Sequence, residues 1–360
     1  MTTARIQAVC YLSHAFEVGL GIDLDACDRQ LERSSRQTIR KSRRVPPHFD
    51  YRPQPLRIAE PAGDLAHGPI PVTRVEIVLH DFGAAAVTYQ IPVEGTAAEL
   101  AQFSEGLQSN ETFEPDARRR LAALLPNLGA AVARPRLAEA SEDYLVVTID
   151  PTGIGSGIEA LVKDRAHELA AILRGTAGAL AGEEVAEALG KRLSFSPDDL
   201  TIIDWNAALI VDREPDDTRL LLEFANVQLL ELRHLDGELD RAVDQAYTML
   251  AQADRGWLRS LRPPGTALRH LGELQMDAAT LFERVSSAVK LFGDQFFGRV
   301  YLAVSQRFHF GAWDRAITRK LDVLDGIYQK VGDRATARRL EVLEWIVIIL
   351  IATELLLALA

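Results

Sequence analysis

The period of the hydrophobic pattern changes along this chain, and the changes predict its elements. From Arg5 to Leu12, apolar and polar residues alternate closely enough for a strand. Asp23 to Leu31 opens on acidic residues and then spaces its apolar groups as a helix does. Val72 to Val93 is apolar on both sides of His80-Asp81-Phe82-Gly83, which reads as strand, tight turn, strand. Gly95-Thr96 starts a helix through about Gln108, with Thr96 as cap and Glu99 at capping-box spacing. A helix over 115–125, a strand over Tyr144 to Asp150 and an amphipathic helix over 158–173 are expected next. Leu200 to Asp212 repeats the strand–turn–strand pattern. Its turn, Asp204-Trp205-Asn206-Ala207-Ala208, mirrors Asp81-Phe82-Gly83-Ala84-Ala85.

Beyond Pro215 the period is helical. Leu220, Leu221, Phe224, Val227, Leu230, Leu235 and Leu239 begin a broad apolar stripe, interleaved with charges such as Glu231, Arg233, Asp236 and Asp240. More helices follow Pro263-Pro264-Gly265, and helix-on-helix packing of coiled-coil character is expected. Leu340 to Ala360 is the most apolar stretch. At about 1.5 Å per residue it could reach about 30 Å, one hydrocarbon core, and so predicts a C-terminal tail anchor. From Trp345 to Ala360 there are ten Ile, Val or Leu residues. They gain roughly 3–6 kcal/mol on insertion, whereas Glu354 near the midplane costs roughly 2.5–3.5 kcal/mol. A lone helix therefore inserts weakly, and a bundle that buries Glu354 predicts a homo-oligomer. Trp345, Glu354, Arg338 and Arg339 are the expected membrane and oligomer contacts. The arginines before the apolar run would keep the body on the cytoplasmic side.

The expected fold class is α+β: an N-terminal mixed sheet with helices, then an all-α helical array ending in a C-terminal transmembrane helix. The regions are an α+β head over 1–214, a coiled-coil-like region over 215–335 and an anchor over 338–360. Inside the head, a basic run from Arg33 to Arg44 and seven prolines between 46 and 71 predict an exposed loop over about 33–71.

Composition narrows the function classes. Hydrophobic content of 48% can build a core, and a net charge of −11 excludes a general nucleic-acid binder. The cluster Arg36, Arg40, Lys41, Arg43 and Arg44 is the candidate contact for an anionic partner, lipid headgroup or RNA. Two cysteines, Cys10 and Cys27, are too few for a disulfide framework or thiolate metal site, and fit a reducing compartment. Met1 to Leu20 has no long apolar core, unlike a signal peptide, and Arg-, Ala-rich, Lys-poor usage points to a bacterial source.

Candidate chemistry is thin. Gly153-Ile154-Gly155-Ser156-Gly157 has Ile158 where a dinucleotide loop needs its third glycine, and no P-loop lysine follows. His167-Glu168 begins like a zinc-protease motif, but Ala171 stands where the second histidine belongs. Asp81-Phe82-Gly83 lacks a kinase context and reads as a hairpin turn. Glu231 and Arg233 are expected on a salt-bridged helix surface, and His234, His270 and His309 share no ligand spacing. No catalytic residue, cofactor or metal is expected.

Asp204 to Ala208, then Glu223-Phe224-Ala225-Asn226-Val227 through Arg233, then Leu343-Glu344-Trp345 with its apolar continuation to Ile351, resemble the required-for-meiotic-nuclear-division protein family over most of the chain. The resemblance implies a domain of unknown function. Its mitochondrial members sit in the inner membrane, form large complexes and support organellar translation. It therefore implies an oligomeric, non-enzymatic scaffold on the bacterial cytoplasmic membrane. Its partners would be further copies of itself, the bilayer and a protein or ribosome-associated partner, with nucleic acid not primary. The alternative is an RNA-binding module or an enzyme using the α+β head.

Overall fold

The expected first strand runs on past Leu12. In the computed structural model, β1 spans Ile6–Glu17 and is the central strand of a wide mixed sheet. The structure describes residues 5–31, 34–36, 53–154, 157–253 and 295–359, with Gly272, Met276 and Ala279. The chain divides into two compact units, one of residues 1–234 with 283–311, the other of 235–282 with 312–360.

In the first unit the strands after β1 are β2 (Gly21–Ile22), β3 (Ser34–Arg36), β4 (Leu56–Glu60), β5 (Ala66–His67), β6 (Ile70–Pro71), β7 (Arg74–Leu79) and β8 (Ala84–Gly95). They continue with β9 (Val132–Ala133), β10 (Ser141–Ile149), β11 (Arg192–Leu193), β12 (Leu200–Ile203) and β13 (Ala207–Val211). The main sheet has the order β11-β12-β13-β10-β1-β8-β7-β4-β3. Its pairs are antiparallel except β10 with β13. β1 pairs with β8 from Ile6↔Gly95 to Glu17↔Ala84. The tight β7–β8 turn is the expected one at His80–Gly83, where Gly83 has φ +112°.

Alternation gives the sheet two different faces. Ile6, Ala8, Cys10, Leu12 and Phe16 of β1, with Val87, Tyr89 and Ile91 of β8 and Leu145 and Val147 of β10, join one apolar core. The helices α1 (Leu24–Gln30), α2 (Ala97–Gln108), α3 (Phe113–Leu128), α4 (Ile158–Asp164), α5 (Ala166–Arg174) and α6 (Gly182–Ala188) contribute to that core. The helix expected over 158–173 is broken at Arg165, whose φ of −126° separates α4 from α5. α2 opens with the capping box: the Thr96 hydroxyl accepts from Glu99 N at 3.2 Å, and the Glu99 carboxylate accepts from Thr96 N at 2.7 Å. Thr96→Ala is expected to cost about 1 kcal/mol, measured as a lower urea midpoint.

On the opposite face Ser13, Ala15 and Glu17 of β1 and Thr88 of β8 are buried too, and Tyr11 is half-buried. This face meets α7 (Asp216–Ala253), and α8 (Gln295–Arg307) also packs in this unit. In the second unit, Leu235, Leu239, Ala242 and Ala246 of α7 are buried, as are Ile317, Leu324 and Ile327 of α9 (Phe310–Leu359). Lys320 Nζ bridges Asp236 at 2.7 Å and Asp240 at 2.6 Å there.

Two expectations are corrected. The architecture is α+β, but the expected transmembrane helix is not supported: among the described residues, no helix is long and apolar enough to cross a membrane. The physical reason lies in the charges of α9. Only nine residues, Trp345 to Thr353, separate Glu344 from Glu354. They make about 13 Å of helix, under half of the roughly 30 Å core. The tail anchor falls with it. Second, the stretch 33–71 is not loop throughout. Residues 56–60 form β4, with Leu56 and Ile58 buried against the core.

Candidate functional site

Buried ions line the sheet face turned to α7. Arg57 of β4 donates to Glu76 of β7 at 3.0 Å and stands 3.9 Å from Glu223 of α7. Glu223 takes Arg219, one helical turn back, at 2.6 Å, and that guanidinium lies 4.3 Å above the Tyr11 ring. Burial pulls the Arg57 pKa down. Burial also opposes the charge of Arg219, but Glu223, Tyr11 and Asp216 more than offset it and raise its pKa. At the β7–β8 turn, burial and then the neighbouring Arg57 charge push His80 down to about 3, so it is a neutral ring. It stacks 5.2 Å from Phe82.

A second group sits where β1 ends. Glu231 of α7 is 1% exposed, and Glu17 of β1 lies within hydrogen-bonding reach of it. His234 Nε2 is 4.0 Å from Glu17 Oε1. Arg233 pairs with Glu142 of β10, and Asn226 donates to the Glu142 carbonyl at 3.3 Å. A salt-bridged helix surface was expected for both: Arg233 is exposed and ion-paired, but Glu231 is buried against the end of β1.

A third group is built on the β12–β13 turn. Asp204 is fully buried and receives two cations: Arg307 of α8, with Nε at 2.9 Å, and Arg174 of α5, with Nε at 3.1 Å. The Tyr144 hydroxyl donates to the Asp204 carbonyl at 3.0 Å, and Trp205 stacks 6.4 Å from Phe308. Asp204-Trp205 is thus a core corner. These ions brace sheet to helices. Cys10 is equally enclosed, and burial raises its thiol to about 12, which leaves it unreactive.

Two surfaces stand out among the described residues. A groove of about 680 Å³ runs between α4 and α6, with Val162, Val185 and Leu189 as floor and Lys163 and Arg192 at its edge. The other is α9, where Leu340, Leu343 and every residue from Trp345 to Ile351 are between 48% and 63% exposed. Among the described residues, no group of three or more His, Cys, Asp or Glu side chains could hold a metal ion.

Of the expected contacts, Trp345 is 63% exposed on α9. Arg338, Arg339 and Glu354 belong to the same helix, with side chains outside the described residues. Arg36 ends β3, and Arg40, Lys41, Arg43 and Arg44 lie outside the described residues. Gly153 closes a short 3-10 turn, while Gly155 and Ser156 are outside the description. Glu168 pairs with Arg165 at 3.2 Å. Sequence reasoning did not find Glu17, Arg57, Glu76, Arg219, Glu223 and Arg307. Only helix spacing carried a signal: Glu223 and Glu231 stand four residues to either side of Val227, on the apolar stripe.

Comparison with known proteins places this chain beside an uncharacterised group. The family described as "Uncharacterized protein MJ0711, N-terminal domain" matches residues 7–218, from β1 to the start of α7. A relative of that name from Methanocaldococcus jannaschii is 24% identical over 204 residues, which cover 56% of this chain and 62% of that protein. No solved structure matches. The resemblance to the required-for-meiotic-nuclear-division family is overturned, since the family that matches is a different one. The expected bacterial cytoplasmic-membrane location is corrected too: the relative is archaeal and no described helix spans a membrane.

Proposed function

The chain belongs to the MJ0711 N-terminal domain family, and from that premise we propose that it is a self-associating, non-enzymatic scaffold whose copies meet through α9. One observation carries the reading: the exposed apolar run Leu340, Leu343 and Trp345 to Ile351. Successive helical residues point about 100° apart, so Trp345 to Ile351 leaves no polar side. A helix apolar all round is stable in water only when surrounded, and one partner helix covers one side. Several copies of the same segment cover each other. Together the nine side chains offer on the order of 900 Å² per chain, comparable to one partner's share of a standard interface. The buried ions support the non-enzymatic part, because they hold one another inside the sheet–helix interface. The link to translation came only with the overturned resemblance and is dropped with it.

Sedimentation equilibrium of the full chain at micromolar concentration is expected to show an assembly of several subunits. The double variant Ile346→Glu, Ile349→Glu is expected to be monomeric with unchanged circular dichroism. A monomeric wild-type chain overturns the reading.

A further inference from the structure

Glu231 is buried deeper than a lone carboxylate tolerates. It is 1% exposed, and among the described residues neither of its carboxyl oxygens meets an N–H or O–H donor. Another acid, Glu17, 8% exposed at the end of β1, lies within hydrogen-bonding reach. Two carboxylates this close in a low-dielectric interior repel strongly, and one shared proton converts the repulsion into a hydrogen bond. Charged groups on the neighbouring elements have partners of their own. On α7, Arg233 holds Glu142 of β10, and Arg219 holds Glu223. Arg57 of β4 holds Glu76 of β7, and His80 at the β7–β8 turn is neutral. His234 stands 4.0 Å from Glu17, one turn beyond Glu231.

We propose that Glu17 and Glu231 share one proton and form a latch that seats α7 on the end of β1 and loosens as pH rises. Burial, the Glu17 charge and the hydrogen bond to Glu17 all raise the Glu231 pKa well above the usual carboxyl range. The sign follows from a raised folded-state value. The stabilisation is fully present below the unfolded carboxyl pKa, near 4.3. It is lost progressively as pH climbs towards the folded value and is gone above it. Between those limits the local closing equilibrium weakens by up to about tenfold per pH unit.

Hydrogen–deuterium exchange of the full chain, read on α7 peptides spanning residues 225–234 and corrected for intrinsic exchange rates, tests this from pH 6 to pH 9. Wild-type protection is expected to fall with pH by up to about tenfold per unit. Glu231→Gln keeps a donor towards Glu17 without the charge, and its protection is expected to stay level within about twofold; Glu17→Gln should behave alike. Wild-type protection that does not change with pH, or a Glu231→Gln profile that falls in parallel with wild type, overturns the latch. If neither variant folds, infrared spectra of the wild-type chain decide: a protonated carboxyl band at neutral pH that bleaches in base supports the shared proton, and its absence overturns it.

Discussion

Asp204→Ala is expected to destabilise the sheet unit by about 3–5 kcal/mol, the largest loss from any single charge deletion here. The carboxylate is fully buried and faces Arg307 Nε at 2.9 Å and Arg174 Nε at 3.1 Å. The Arg307 side chain is 10% exposed, so removing Asp204 strands a desolvated guanidinium. Glu187, at 3.2 Å from Arg307 but 53% exposed, is too well solvated to replace it. The Trp205 amide, which donates to Asp204 Oδ1 at 2.8 Å, loses its acceptor as well. Asp204→Asn keeps that acceptor and the shape, and is expected to cost roughly half as much. Urea unfolding followed by circular dichroism checks both, and a loss under about 1 kcal/mol for Asp204→Ala would show that the arginines find water instead.

Gly83→Ala is expected to cost about 4 kcal/mol or more, because strain and collision act together. Gly83 sits at φ +112°, which disfavours any side chain. A Cβ there would lie 1.8 Å from the Gly19 carbonyl oxygen and 3.2 Å from Gly21 N. Those are backbone atoms, fixed by Val18 N donating to Gly83 O at 2.9 Å and Ile22 N to Asp81 O at 2.8 Å. No rotamer relieves the contact. Gly68→Ala is the control: φ is +57° and nothing lies within 4 Å, so only the left-handed strain of about 1–2 kcal/mol remains. Thermal unfolding should show a drop of about 10 °C for Gly83→Ala and a few degrees for Gly68→Ala.

What was legible in the sequence was local. The alternation at β1, the two strand–turn–strand units, the Thr96–Glu99 box and the long stripe of α7 each depend on neighbours within a few residues, where spacing alone sets which side chains share a face. The stripe even carried Glu231 on its buried side, yet helix spacing could not say that the facing group is an acid, because Glu17 stands more than two hundred residues earlier. Arg307 and Asp204 are as far from visible, being 103 residues apart and joined only when α8 returns to the sheet.

The chain by itself also set the apolar character of Trp345 to Ile351, but it misread the consequence. Counting apolar residues to the last position gave a bilayer-length segment, whereas the glutamates at 344 and 354 cut the uncharged run to nine residues. Residue order thus determined the elements, their caps and the greasy surface of α9. Tertiary structure alone decided that β1 is buried on both faces from Leu12 to Glu17, that ions of α7 close against strands, and that two acids meet. Charges and hydrogen-bond partners are chosen across space, at distances along the chain where no periodic pattern can record them.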